Sequence, residues 1–324
     1  MRTAFAPFLL LLAATATAQS VLPRPALLVL NKNEAMLAIV DPATGQVAHR
    51  VATGDGPHEI EVSLDGRFAY VSNYGGLIAG SSLSVIDLAA MKEIRRIDLK
   101  NLRRPHGIAV SGEAVYFTAE GAGAIGRLDN SAQRVEWTFA TGQDVTHMIA
   151  ASRDGSRLFT ANMGSDNISI IERETSGEWS QSLVRVGAGP EGLDLSPDAR
   201  ELWTAHSRDG GISIIAVESK QVVATIDART RRSNRLKFTP DGRRVLVSDL
   251  GGGELIVLDA QQRIVIKRLA VGRGPSGILV TPDGSRAYVA LSGDDRIAVV
   301  DLKTLAVTGT IATGQGPDGM AWVR

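Results

Sequence analysis

The chain has 324 residues, with 35 basic and 35 acidic side chains, 34 glycines and no cysteine. Zero net charge gives no global pull toward nucleic acid or an acidic membrane. The lack of cysteine excludes disulfides, thiolate metal sites, thiol nucleophiles and anchoring through a lipidated cysteine.

The first residues read as an export signal. Arg2 supplies a positive start, residues 8–14 form a short apolar run, and Ala16-Thr17-Ala18 is a small-x-small cleavage site. Residues 1–18 are therefore expected to be removed. Residues 19–324 carry no linker or composition break and read as one domain. No later apolar run approaches the ~20 residues of a membrane helix. A periplasmic or secreted protein with no membrane span after cleavage is expected.

Residues 26–31, 36–41 and 47–52 are short β-rich runs bounded by turn residues. Gly56-Pro57-His58-Glu59-Ile60 then opens a new strand. Asp65-Gly66 turns it into residues 68–73, and two more strands follow, at 83–87 and 94–99. This order returns along the whole chain. Asp154-Gly155, Asp241-Gly242 and Asp283-Gly284 mark the same hairpin. Tyr70, Tyr116, Phe159, Trp203 and Tyr288 hold one place in the second strand, and Asp41, Asp87, Asp129, Asp259 and Asp301 close the third. The opening motif has clear copies at Arg104-Pro105-His106, Gly189-Pro190-Glu191, Gly274-Pro275-Ser276 and Gly316-Pro317-Asp318. Worn ones are read at Val145-Thr146-His147 and Ser233-Asn234-Arg235. The steps run from 41 to 48 residues, a repeat-architecture period. One four-stranded antiparallel sheet cannot bury both faces, but seven packed radially can. The three opening strands and the lone closing strand are expected to pair. The fold class is thus all-β, a seven-bladed propeller closed by its C-terminal strand.

The repeats Pro-x-Gly-Ile, Ser/Thr-Pro-Asp-Gly, Tyr-Val-(Ser/Ala)-Asn and Val-Ile-Asp resemble the YVTN-repeat family of seven-bladed propellers. The best matches are residues 275–301 and 57–87. The resemblance implies that the Pro-x-Gly strand lines the central channel. It leaves function open among binding platforms, lactonases, lyases and cofactor-handling proteins.

With that register, the third motif position rings the channel mouth as His58, His106, His147, Glu191, Arg235, Ser276 and Asp318. The ends of the second strands add Asn31, Asn73, Ala119 with Glu120 beside it, Asn162, His206, Asp249 and Leu291. Four of the five histidines map to this face, and His49 does not. His58, His106, His147 and Glu191 offer the N and O donors that Zn, Cu, Fe, Ni or Mn accept. The same set could hold a metal for delivery or give an axial ligand to a tetrapyrrole. Asn73, Arg104, Glu120, Asn162, His206, Arg235 and Asp249 are candidate ligand-binding residues, the arginines for a small anion. Asp318 is the candidate catalytic base.

Three readings follow. One is a binding module for a metal or small anion. The second is a metal-dependent hydrolase, lactonase or lyase at the same mouth. The third is a protein-interaction platform in which the histidines only serve their loops. The first two require the three histidines to converge; the third has them point apart or into solvent. A nucleic-acid partner is not expected, because Tyr74 is the one obvious stacking aromatic. A closed ring has no strand edge to pair, so a monomer is expected.

Overall fold

The computed structural model describes residues 22–129 and 131–324. The expected signal segment lies outside the described residues. Seven antiparallel four-stranded sheets stand in a ring. The first blade joins Pro317–Val323 to Ala26–Asn31, Met36–Asp41 and Gln46–Ala52, so the C-terminal strand closes the circle. Among the described residues, no helix is long and apolar enough to cross a membrane.

The blades pack face to face. Each hydrophobic cluster draws on two neighbours: Leu28 and Leu30 of the first blade meet Ile60, Val71 and Ile86 of the second. The repeated aromatic of the second strand is the largest of these inserts. Phe159 and Trp203 have no exposed surface, and Tyr116 and Tyr288 are buried. Each such burial contributes about 2–3 kcal/mol. The repeated aspartates close the turns: Asp41, Asp87, Asp259 and Asp301 each accept a backbone N–H a few residues on.

The feature that positions the site is a bulge in every inner strand. Pro57 pairs with Asn73 and Ile60 with Val71, three residues spanning two. The same slip recurs in the other blades. It leaves the N–H at the fourth motif position without a ladder partner. In three blades a hydroxyl from the second strand takes it and passes the bond to the next blade. Ser72 accepts from Glu59 N–H and donates to the His106 carbonyl. Thr118 accepts from Gly107 N–H and donates to the His147 carbonyl. Ser248 does the same between Arg235 and Ser276. The backbones that carry His58, His106 and His147 are thus stitched blade to blade, as are those of Asn234 and Ser276. Gly107 is required at its bulge, because a Cβ there would sit 2.8 Å from Ile149 N of the next inner strand.

This register corrects one alignment. Ser233 pairs with Asp249 and Leu236 with Val247, so Ser233 stands where the other copies have Pro or Thr. The third position of the sixth blade is Asn234. Arg235 is one residue further, at the place of Glu59 and Gly107.

Candidate functional site: a histidine chamber in the channel

The third-position side chains converge. Asp318, His58, His106, His147, Glu191, Asn234 and Ser276 come from seven successive blades. The His58 and His106 ring centroids are 4.2 Å apart, and those of His106 and His147 are 3.7 Å apart. His147 Nε2 is 3.9 Å from Glu191 Oε1, which also accepts from Asn234. His58 Nδ1 lies 2.6 Å from Asp318 Oδ2, and Lys32 Nζ is 2.9 Å from the same oxygen. His106, Glu191 and Asp318 are almost wholly buried. His58 is the most open imidazole of the three, with 18% of its side chain exposed.

A second set faces this cluster from one residue beyond Asn31, Asn73 and Ala119: Lys32, Tyr74 and Glu120 of three adjacent blades. Glu120, in the short turn Glu120–Ala122, accepts from His147 Nδ1 and, at 2.6 Å, from Tyr74 OH. The Tyr74 ring stands edge-on to His58 and His106. The strand-end residues themselves turn the other way. Asn73 accepts from Gly54 N–H, and Asp249 from Arg231 and Arg232 N–H, so both clamp the loop into their own inner strand. Asn162 bonds Asn167 and Ser169, and His206 bonds Asp209 at 3.0 Å. None of these four joins the chamber. Side chains alternate along a strand, so a displacement of one residue changes the surface reached.

Arg235 does reach the channel, through its different register. Its Nε is 3.0 Å from Glu59 Oε1, across the ring. This pair floors the chamber. Beyond it a cavity of about 810 Å³ runs toward the Asp-Gly hairpins, past Glu61, Asp194 and Lys237.

The electrostatics favour neutral rings at His58 and His106. Burial, reinforced by His147 and His58, holds His106 well below the usual histidine range. Burial also lowers His58, against the pull of Asp318. Burial would raise Glu120, yet the His147 and Tyr74 bonds hold it below its ordinary value. Asp318 is likewise held far down, against burial, by Lys32 and His58. Burial and the bond to Glu120 push Tyr74 up to about 12.

The polar atoms left over are the informative ones. Both ring nitrogens of His106, Nε2 of His147 and Oε2 of Glu191 are buried without a hydrogen-bond partner. Such groups are normally satisfied, and their cost is about 1–3 kcal/mol each. Donor atoms of His106, Glu120 and His147 lie within 4.8 Å of one another, a spacing that could hold a metal ion. His58, Glu191 and Asp318 stand around this group.

Fold and site together define a seven-bladed propeller with a polar, histidine-lined channel. The chain belongs to the YNCE-like beta-propeller family, which matches residues 106–286. No curated protein matches the chain in sequence. Three solved structures illustrate the fold. Hydrazine synthase of Kuenenia stuttgartiensis is 20% identical with a TM-score of 0.76, covering 90% of this chain and 99% of that one. A candidate 6-phosphogluconolactonase of Bacteroides uniformis is 17% identical with a TM-score of 0.79, covering 94% and 100%. The periplasmic gluconolactonase of Pseudomonas aeruginosa is 18% identical with a TM-score of 0.75, covering 93% and 99%.

Proposed function

We propose that this is an exported propeller of the YVTN-repeat type that binds a divalent transition metal in its channel. The observation that carries the reading is the set of buried, unpartnered imidazole nitrogens on His106 and His147 beside Glu120 and Glu191. Metal-bound histidine must be neutral, and its other ring nitrogen is held by a carboxylate or carbonyl. His147 meets the second condition through Glu120. With only N and O donors, the site suits Zn, Cu(II), Ni, Fe or Mn rather than a thiophilic ion. When bound, such an ion would supply Lewis-acid chemistry at its open position. The test is elemental analysis of the mature protein, purified from the periplasm without a histidine tag, beside the folded His58→Ala/His106→Ala/His147→Ala variant. About one metal per chain, lost in the variant, supports the reading. No metal in either protein, and no uptake on titration, refutes it.

A lactonase-type activity is the second reading. It is favoured by His58, which Asp318 and Lys32 hold at the open side of the chamber. The gluconolactonase likeness supports only the fold. Turnover of a lactone panel that chelation abolishes would distinguish an enzyme from a binding module.

A further inference from the structure

We propose that the metal-loaded chamber takes a small hydroxy- or dicarboxylate, with Arg104 gripping a carboxylate. This rests on the metal reading above. Arg104 precedes Pro105 and His106, in a left-handed backbone conformation with φ of 53°. Its guanidinium lies over the Tyr74 ring, 4.9 Å from the centroid. The edge contacts of that ring are with His58 and His106, at centroid distances of 5.2 and 5.6 Å. Cation and imidazoles therefore flank one tyrosine.

Arg104 is half-buried, and among the described residues no acidic side chain lies within ion-pairing distance of it. Arg103 beside it is exposed and equally unpaired. Elsewhere Arg157, Arg208, Arg263 and Arg273 each meet a carboxylate. The guanidinium is oriented by Tyr74 and meets no carboxylate among the described residues, and a fork of this kind matches the plane of a carboxylate.

Charge makes the site conditional. Glu59, Glu120, Glu191 and Asp318 face Lys32, Arg104 and Arg235, one negative charge in excess. A dication reverses that sign, so an anion is attracted after the metal is in place. A hydroxyl or second carboxylate of the same molecule then serves as the donor on the metal side. Metal and anion must raise each other's affinity by the same factor.

The experiment uses mature protein loaded with Co²⁺ and freed of unbound metal. Succinate and D-gluconate are titrated by calorimetry and by the visible spectrum of the cobalt. Both should bind the loaded wild type at least ~10-fold tighter than the metal-free protein, the scale of a charge-assisted pair. Arg104→Met should lose about 10-fold or more in anion affinity while keeping its cobalt, and Arg104→Lys should fall between. Equal binding by Arg104→Met, or by the metal-free protein, overturns the proposal. Phosphate binding without succinate or gluconate binding overturns the carboxylate class. A wild type that takes up no cobalt sinks the chamber reading and this one together; cobalt uptake without any anion response sinks this one alone.

Discussion

Glu120→Gln is the sharpest probe of the chamber. The carboxylate accepts from His147 on one side and from Tyr74 on the other, with its side chain only 9% exposed. Glutamine keeps the shape and one acceptor for the imidazole N–H, so the rings stay in place. The negative charge is lost. Removing a carboxylate that holds a metal-bound histidine costs about 10–100-fold in metal affinity. That equals roughly 1.4–2.7 kcal/mol. If Glu120 instead ligates directly, the loss exceeds that range. Glu120→Ala goes further, because His147 Nδ1 and Tyr74 OH lose their partner at about 1–3 kcal/mol each. The assay is competition for Zn²⁺ against a chromophoric chelator, with thermal unfolding beside it. At 100-fold excess over its dissociation constant the metal should stabilise the wild type by about 2.7 kcal/mol. Unchanged Zn²⁺ affinity in Glu120→Gln would show that the carboxylate does nothing for the site. Unchanged affinity in His147→Ala would remove the chamber from consideration altogether.

Three further outcomes are expected. Glu59→Ala leaves the buried Arg235 with no carboxylate nearer than Glu191 at 4.0 Å and only Asn234 to donate to, so urea unfolding should show a loss of about 3 kcal/mol. The double variant Glu59→Ala/Arg235→Met should recover much of it, and a double variant no better than the single refutes the pairing. Gly107→Ala should cost about 1–3 kcal/mol, because the neighbouring inner strand must move aside; a neutral result contradicts the packing described for that bulge. Glu61 is pushed up to about 7, chiefly by burial. The folded protein thus holds a proton that the unfolded chain releases near 4.5, and stability from this group falls as pH rises through 7. Glu61→Gln should therefore gain on the wild type between pH 5 and pH 8 in thermal unfolding, and a constant difference across that range would be the contrary result.

The propeller was legible because its signals repeat. Gly-Pro, Asp-Gly and the buried aromatic recur with one spacing, so worn copies could be located from clear ones. Convergence of His58, His106 and His147 followed from the same regularity. The regularity breaks where an anchor is missing. In the sixth blade Arg232-Ser233 replaces Gly-Pro, and no glycine marks the bulge. Arg235 was therefore aligned one residue away from its place. Lys32 and Tyr74 were missed in the chamber for a related reason. They lie one residue past Asn31 and Asn73, and strand alternation sends the asparagines to the loops and their successors to the channel. The floor made by Glu59 and Arg235 was out of reach altogether, since no local pattern links residues on opposite sides of a ring.

The closing strand Pro317–Val323 also carries Asp318, the anchor of Lys32 and His58. Sealing the circle and completing the chamber are therefore one event. A chain whose last strand is still loose presents an imidazole with no carboxylate behind it and a lysine with nothing to grip. Loss of that contact would be an early mark of an unzipped ring, detectable at His58 before any blade has come apart.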